Sequence, residues 1–403
     1  LRFITCGSVD DGKSTLIGRL LYDCRSIFDD QLAQIEKEIK DKKNQDQSYD
    51  FALLVDGLSA EREQGITIDV AYRFFTTEKR KFIVADTPGH EQFTRNMVTG
   101  ASTSELAIIL VDARKGILTQ TRRHSFICHL LGIKNIVLAV NKMDMVEYKK
   151  SVFDKIVSDF KSISNDIGIL NFTPIPICAL NGDNIVHNSK NTPWFINETP
   201  IHFLENVDLT KKSSQLKNFR MPVQWVNHPK MDFRGFSGRV VSGKIRPGDK
   251  INIQPSGKST LVDRIITFDG DLESAEEGQS ITLTLKDEIE CSRGQIITSF
   301  DEPLKVADQF EVTLIWLSED LHIPGRPYYL KIGTQTLTGT VTKLKYQINI
   351  NTMEHLAAKT LGLNAIGVAN LTTDRPIPFS SYKENRNLGG FILIDKMTNK
   401  TAG

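Results

Sequence analysis

Residues 7–15 constrain the fold of this chain more than any other segment. They read Gly-Ser-Val-Asp-Asp-Gly-Lys-Ser-Thr and directly follow the apolar run 3–6. This is the pattern G-x-x-x-x-G-K-[ST], in which glycines permit a backbone path that turns N–H groups toward nucleotide phosphates. The run 13–21 predicts a helix whose positive end faces those phosphates. The chain is therefore expected to contain a phosphate-binding strand–loop–helix unit.

The polar side chains of this loop suit a nucleotide with a bound cation. Lys13 can reach the β- and γ-phosphates, and the Ser14 hydroxyl can ligate Mg²⁺. Asp10 has two interpretations, a ligand for a monovalent cation near the phosphates or a residue that stabilises a turn. The predicted nucleotide contacts in the loop are Gly7, Ser8, Val9, Asp10, Asp11, Gly12, Lys13, Ser14 and Thr15.

Two further segments suggest a switch that detects the terminal phosphate. Asp86 follows the strand-like run 81–85, where a carboxylate can hold Mg²⁺, usually through water. Gly89 offers an N–H that can approach the γ-phosphate closely. Thr67 has a hydroxyl for Mg²⁺ and an N–H for the γ-phosphate, so it can sense whether that phosphate is present. The predicted metal ligands are Ser14, Thr67 and Asp86. Asp56 has two interpretations, a residue that hydrogen-bonds to Mg²⁺-bound water or a residue that caps a loop.

The base-reading motif follows the buried-strand run 136–140. It comprises Asn141, Lys142 and Asp144. The Asp144 carboxylate can accept hydrogen bonds from guanine N1–H and from the exocyclic amine, and adenine offers neither donor there. Two charge-assisted bonds at about 1.5–3 kcal/mol each would select guanine strongly. The predicted ligands are therefore GTP and GDP with Mg²⁺.

Composition adds limits on partners and compartment. The net charge is +1, which gives no overall electrostatic reason to expect nucleic acid or an anionic membrane. The five cysteines are scattered and odd in number, which indicates reduced, cytoplasmic usage without a disulfide framework or a zinc site. No apolar run approaches the roughly 20 residues of a membrane span. We therefore expect a cytoplasmic protein with no membrane partner.

The order of predicted elements divides the 403 residues into an α/β part and a β part. Apolar runs at 3–6, 82–85, 106–111, 136–140 and 175–177 alternate with helical stretches such as 119–131 and 149–164. This pattern predicts a doubly wound, mostly parallel sheet with its ligand at the carboxyl ends of the strands. Residues 68–75 and 81–86 predict an antiparallel edge hairpin. The polar segment 29–48 is interpreted as an exposed helix that leads into a loop.

The second half shows short strands separated by turns, which predicts two small β-barrels. The predicted domains are residues 1–208 for nucleotide binding, 209–219 as a linker, 220–304 as one barrel and 305–403 as the other. The cluster Lys211, Lys212, Lys217 and Arg220 is either a basic patch or part of a solvated linker. Residues 256–260 imitate the end of a phosphate loop, but no helix follows, so they are interpreted as a hairpin turn.

These motifs together resemble the translation-factor class of GTPases, such as elongation factor Tu. The resemblance rests on residues 7–15, 61–67, 86–91 and 141–144 and spans the whole chain. Within the class, the chain most resembles the GTPase subunits of bacterial heterodimeric sulfate adenylyltransferases (ATP sulfurylases). The discriminating segments are 7–12, with Asp11 where elongation factor Tu has histidine, together with 68–75, 94–102, 232–238 and 385–390.

The resemblance implies a GTPase domain and two β-barrels, as in elongation factor Tu. It implies GTP hydrolysis to GDP and phosphate, which drives a partner subunit to make adenylylsulfate and pyrophosphate from ATP and sulfate in sulfate assimilation. His90 would orient the attacking water, unless it only packs within the switch, and Lys13 and Thr67 would assist it. We see no arginine finger in the sequence, so slow hydrolysis is expected without the partner.

The resemblance also assigns a second base-contacting segment, Cys178-Ala179-Leu180. The class usually has serine where this chain has Cys178, a weaker hydrogen-bonding partner. The Ala179 N–H is expected to meet guanine O6, with somewhat reduced guanine affinity.

Other functions and neighbouring domains stay open at this point. The alternative functions are a translation factor that delivers tRNA to the ribosome and a non-catalytic module that uses GTP only for stability. An adenylylsulfate kinase, separate or fused beyond Gly403, would be a further partner. Leu1 already lies in a predicted strand, which is compatible with native residues before it.

Overall fold

In the computed structural model, the described residues are 1–26, 51, 55, 67–209, 218–230 and 233–403. The predictions for Asp56, for residues 29–48 and 61–66, for Lys211, Lys212 and Lys217, and for residue 232 lie outside them. The chain forms two compact units. One unit comprises Leu1–Asp208 and Asn349–Glu354, and the other comprises Leu209–Ile348 and His355–Gly403.

The first unit is built on a six-stranded sheet with strand order β2-β3-β1-β4-β5-β6. Strand β2 is an antiparallel edge strand, and the remaining neighbours pair in parallel. The predicted doubly wound, mostly parallel sheet is therefore confirmed. The strands are β1 Arg2–Cys6, β2 Ala71–Thr76, β3 Lys81–Asp86, β4 Leu106–Asp112, β5 Asn135–Asn141 and β6 Thr173–Pro176.

Successive strand residues point to opposite sides of this sheet, and helices pack against both of its faces. One face packs Phe3 and Ile108 against Leu16 and Leu20 of α1. On the other face, Cys6 contacts Cys128 of α3, with 3.8 Å between the sulfur atoms. The helices are α1 Lys13–Asp23, α2 Thr94–Ser102, α3 Thr119–Leu130, α4 Lys150–Ile167 and α5 Pro200–Asn206, with short 3₁₀ turns at Glu91–Phe93 and Met143–Val146.

The second unit begins with a closed antiparallel barrel. Its ladder order is β10-β15-β7-β8-β14-β11, and a further pairing of β10 with β11 closes the ring. The hairpin between β10 and β11 contains residues 255–257, which confirms that this imitation of a phosphate loop is a turn. The strands are β7 Arg220–Lys230, β8 Phe233–Arg239, β9 Lys244–Ile245, β10 Lys250–Gln254, β11 Lys258–Thr267, β12 Gly270–Asp271, β13 Ala275–Glu276, β14 Ser280–Leu285 and β15 Ile296–Ser299.

A second antiparallel sheet in this unit has the order β16-β20-β18-β17-β21. Residues near 402 connect its two outer strands: the Leu317 N–H donates to Ala402 O and the Ala402 N–H donates to Leu393 O, both at 2.8 Å. The sheet encloses its own apolar core around Trp316 and Tyr328. Its elements are β16 Lys305–Ile315, β17 Pro327–Ile332, β18 Gln335–Ile348, β19 His355–Leu356, β20 Ile366–Phe379, β21 Phe391–Asp395 and the short helix α6 Arg386–Gly389.

In the described part of the chain, no helix combines the length and the apolar character that a membrane crossing requires.

Candidate nucleotide-binding site

The predicted phosphate loop joins β1 to α1 at the carboxyl edge of the sheet. Gly12 has φ 89°, a conformation that favours glycine, and a Cβ there would lie 2.4 Å from Asn141 Nδ2. The Ser8 N–H donates to Asp11 Oδ2 at 2.6 Å. These contacts fold residues 7–12 into a compact loop in front of the first turn of α1.

Lys13 lies at the centre of that loop. Its side chain is buried, and Nζ donates to Ser8 O at 2.8 Å and to Gly7 O at 3.2 Å. Burial lowers the pKa of Lys13, while Asp86 and Asp11 favour its charged form. The loop therefore holds a cation that is ready to pair with an anionic ligand.

Asp11 is almost completely buried beside Lys13. Burial raises the pKa of its carboxyl to about 6, although the charge of Lys13 and the Ser8 N–H favour ionisation. The phosphate loop thus contains a carboxyl group whose protonation changes near neutral pH.

The three predicted metal ligands come together at the start of α1. Ser14 Oγ donates to Asp86 Oδ2 at 3.1 Å and lies 3.3 Å from Thr67 Oγ1. Asn96 of α2 donates to Ile68 O at 2.7 Å, which ties the segment after Thr67 to the body of the unit. Two hydroxyls and a carboxylate form the oxygen-rich donor set that Mg²⁺ prefers.

Gly89 packs directly against the phosphate loop. A Cβ at this position would lie 2.6 Å from Lys13 Nζ and 2.8 Å from Gly7 O, so no larger residue fits. His90 is exposed, and its Nδ1 accepts the Gln92 N–H at 3.3 Å, which caps the following 3₁₀ turn. The structure therefore places His90 beside the site, and its role toward water stays a prediction.

Asn141 connects the phosphate loop to the predicted second base-contacting segment. Its Nδ2 donates to Asp11 O at 2.8 Å, and its Oδ1 accepts the Ala179 N–H at 3.0 Å. The N–H that we expected to meet guanine O6 is thus bonded to Asn141 here. A guanine oxygen at this position would share or replace that bond.

Cys178 contacts the residue that is predicted to read guanine. Its thiol donates to Asp144 Oδ1 at 3.1 Å. Burial raises the pKa of Cys178 to about 12, and the Asp144 carboxylate also favours the neutral form. Cys178 therefore stays a thiol and serves Asp144 as a hydrogen-bond donor.

Sequence reasoning missed Asp112, at the end of β4. Its buried carboxylate accepts from Arg114 Nη2 at 2.6 Å and lies 3.2 Å from Lys142 Nζ. Burial opposes its ionisation, but the hydrogen bonds from Arg114 and Lys142 outweigh burial and hold its pKa at about 2. Lys142 also donates to Asp10 O, so it joins the predicted base-reading loop to the phosphate loop. The signal in the sequence that could have identified Asp112 is a carboxylate directly after the apolar run 106–111.

The remaining predicted contacts lie around the rim of the site. Asp10 is exposed, and Val9 and Thr15 are half-buried. Leu180 is exposed, and its carbonyl oxygen lies 3.5 Å from Arg19 Nη1.

Fold and site together define a GTP-binding protein with a P-loop α/β domain followed by antiparallel β domains. Comparison with known families agrees with this description. Residues 1–213 match the elongation factor Tu GTP binding domain, residues 236–298 match elongation factor Tu domain 2, and residues 309–403 match the GTP-eEF1A C-terminal domain-like family.

Relatives that match this chain over all of its residues narrow the class further. The chain is 54% identical over 403 residues to the bifunctional enzyme NodQ of a Rhizobium species and spans 62% of that protein. It is 54% identical to sulfate adenylyltransferase subunit 1 of Aliarcobacter butzleri and 52% identical to that of Pseudoalteromonas atlantica, covering 86% of each. All three matches cover 100% of this chain. The chain belongs to the sulfate adenylyltransferase subunit 1 family, within the elongation factor Tu class.

Proposed function

We propose that this chain binds GTP with Mg²⁺ and hydrolyses it as the GTPase subunit of sulfate adenylyltransferase. The observation that carries the proposal is the convergence of Ser14, Thr67 and Asp86 next to buried Lys13. Similarity to sulfate adenylyltransferase subunit 1 over the whole of this chain favours this function over delivery of tRNA.

The phosphates would bind at the loop 7–15, with Lys13 exchanging its carbonyl partners for β- and γ-phosphate oxygens. Ser14 and Thr67 would contribute hydroxyl ligands to Mg²⁺, and Asp86 would hold it through water. The cation, when bound, neutralises charge on the phosphate oxygens. Asp144 would accept from guanine N1–H and the exocyclic amine, while Cys178 donates to the same carboxylate.

Hydrolysis requires a positioned water molecule and stabilisation of the negative charge on the phosphate oxygens. The water would attack the γ-phosphorus, the bond to the β–γ bridging oxygen would break, and GDP and phosphate would leave. His90 would orient that water, because it directly follows Gly89, which packs on Lys13. The same step would remove the phosphate group that Thr67 and Gly89 detect.

The released energy would serve a catalytic partner subunit. That subunit would join ATP and sulfate into adenylylsulfate and pyrophosphate, a reaction that runs uphill because the mixed anhydride is unstable. Coupling requires the partner to have different affinities for the GTP-bound and GDP-bound states of the loops that carry Thr67 and Gly89. We place the complex in the cytoplasm, with an adenylylsulfate kinase acting on its product, whether fused or separate.

The direct test combines this chain with the catalytic subunit, ATP, sulfate and Mg²⁺ and measures pyrophosphate release. We expect release to be faster with GTP than with GDP or with a non-hydrolysable GTP analogue. The variant Asp144→Asn should bind xanthine nucleotides in preference to guanine nucleotides, because its amide donates where the carboxylate accepted. Equal pyrophosphate release under all three conditions would contradict coupling, and retained guanine preference would contradict the role of Asp144.

A further inference from the structure

The turn that carries Asp144 ends in an unusual backbone conformation. After the 3₁₀ turn Met143–Val146, Glu147 has φ 54° and Tyr148 has φ 52°. Residues with a Cβ avoid this left-handed region, and two in succession are held only where the surroundings fix them. Two backbone bonds close the turn, from Glu147 N–H to Asp144 O at 3.1 Å and from Tyr148 N–H to Met143 O at 2.8 Å.

Side-chain contacts of Tyr148 connect this turn to the segment that contains Cys178. The Tyr148 hydroxyl donates to Asp183 Oδ2 at 2.6 Å. Asp183 pairs with Cys178 in an antiparallel bridge, in which the Cys178 N–H donates to Asp183 O at 3.2 Å. Trp194 Nε1 donates to Tyr148 O at 3.1 Å and so also holds the backbone of this residue. Burial and the Asp183 carboxylate raise the pKa of Tyr148, so its hydroxyl stays protonated and donates.

Asp183 itself is fixed by its own loop. Its Oδ1 accepts from Ser189 Oγ at 2.5 Å and from Asn191 Nδ2 at 3.2 Å. In the same loop, buried Asn184 donates to Pro176 O at 2.7 Å at the end of β6. The acceptor of the Tyr148 hydroxyl is therefore anchored to the sheet.

We propose that Tyr148 is a positioning residue for base specificity, which acts by fixing the Asp144 carboxylate relative to Cys178 through its bond to Asp183. Tyr148 does not itself read the base. It sets the place and direction of the carboxylate that would accept the exocyclic amine of guanine. This inference rests on the proposed role of Asp144 as the base-reading residue.

The test measures GDP and IDP binding to the full chain of the variant Tyr148→Phe by titration calorimetry with MgCl₂. IDP lacks the exocyclic amine, so the ratio of the two affinities reports the bond between that amine and Asp144. We expect Tyr148→Phe to lower the GDP/IDP ratio by about 3- to 10-fold, because a misplaced carboxylate loses part of a charge-assisted hydrogen bond. An unchanged ratio, including an equal loss of affinity for both ligands, would overturn the proposal.

Two further variants separate this role from general stabilisation. Ser189→Ala removes one bond to the other carboxylate oxygen of Asp183 but leaves the Tyr148 bond in place, so it should lower the ratio less than Tyr148→Phe does. Asp183→Asn keeps an oxygen acceptor for the Tyr148 hydroxyl and should keep the ratio within about 2-fold of wild type. A lowered ratio in Ser189→Ala equal to that in Tyr148→Phe would contradict a specific role for Tyr148.

The variant Asp144→Asn distinguishes failure of this inference from failure of the proposed base-reading role. If Asp144→Asn gains xanthine preference while Tyr148→Phe keeps the wild-type GDP/IDP ratio, only the positioning role is wrong. If Asp144→Asn keeps guanine preference, the base-reading role on which it rests is wrong.

Discussion

His124 of α3 accepts the backbone N–H of Gly7 through its ring Nδ1, at 3.3 Å. The imidazole is completely buried beneath the first residue of the phosphate loop. Because Nδ1 acts as an acceptor, the ring is neutral and carries its proton on Nε2. Burial lowers the pKa of His124 to about 3, and the charges of Lys13 and Arg123 act in the same direction. The loop is thus supported by a histidine that must stay neutral.

This pKa predicts a specific loss of stability in acid. Between pH 6.5 and pH 3, the unfolded state binds a proton at His124 that the folded state does not. The contribution of His124 is therefore fully present above pH 6.5 and is lost as the pH falls toward 3. From pH 7 to pH 5 we expect it to lower the free energy of unfolding by about 2 kcal/mol. Urea unfolding of the nucleotide-free chain at the two pH values measures this loss.

The matched variant is His124→Asn, which keeps an acceptor for Gly7 N–H but does not titrate. From pH 7 to pH 5, its free energy of unfolding should fall by about 2 kcal/mol less than that of wild type. Asp11 works in the opposite direction, because its raised pKa makes the folded state hold an extra proton between about pH 4 and pH 6. Asp11 contributes equally to wild type and to His124→Asn. The difference between their pH dependences of unfolding free energy therefore reports the contribution of His124 alone. Equal pH dependence in the two would show that His124 does not titrate in this way.

The contacts of Ser14 predict a metal-linked defect in nucleotide binding. Ser14→Ala removes the hydroxyl that meets both Asp86 and Thr67. We expect GDP affinity in MgCl₂ to fall by about 5- to 150-fold, the usual range of coupling between two bound ligands. In EDTA the variant and wild type should bind GDP equally, because the hydroxyl then has no cation to ligate. A loss of the same size in EDTA would assign Ser14 a role that does not involve the metal.

The Cys178 thiol predicts a gain of affinity in the variant Cys178→Ser. A hydroxyl is a stronger donor than a thiol, so it should hold the Asp144 carboxylate better. We expect GDP to bind about 2- to 10-fold more tightly, which corresponds to a modest gain in the strength of one hydrogen bond. Cys24→Ser, at the end of α1, is the control and should leave GDP affinity unchanged. If Cys178→Ser binds GDP more weakly than wild type, the thiol suits this site better than a hydroxyl.

Most of the site was predictable because its residues follow strand ends in local sequence motifs. Asp86 and Asn141 end well-defined strands, Lys13 and Ser14 follow β1 after the phosphate loop, and parallel strands bring their carboxyl ends to one edge. His124 and Tyr148 were not predictable in this way. Each contacts a partner distant in sequence, Gly7 and Asp183, so the packed structure was needed to show these contacts.

Element boundaries departed from prediction where a local pattern was interrupted. Strand β2 begins at Ala71, three residues later than expected, because Asn96 takes the Ile68 carbonyl. Strand β6 covers Thr173–Pro176 despite its two prolines, which an edge strand tolerates because one side needs no N–H donors. Strand β20 extends over Ile366–Phe379, longer than the short strands expected in this half, because it continues through polar residues and prolines that show no apolar alternation.

The position of His90 predicts a defect in turnover without a defect in binding. His90 is exposed and caps the turn after Gly89, so its removal should leave GTP affinity near the wild-type value. If it orients the attacking water, His90→Ala should lower the rate of GTP hydrolysis by about 100-fold or more. Phosphate release at saturating GTP measures the rate, and His187→Ala, another exposed histidine, is the matched control. The catalytic subunit should accelerate hydrolysis by wild type far more than by His90→Ala. If His90→Ala hydrolyses GTP at the wild-type rate in the complex, His90 does not orient the attacking water and only caps the turn.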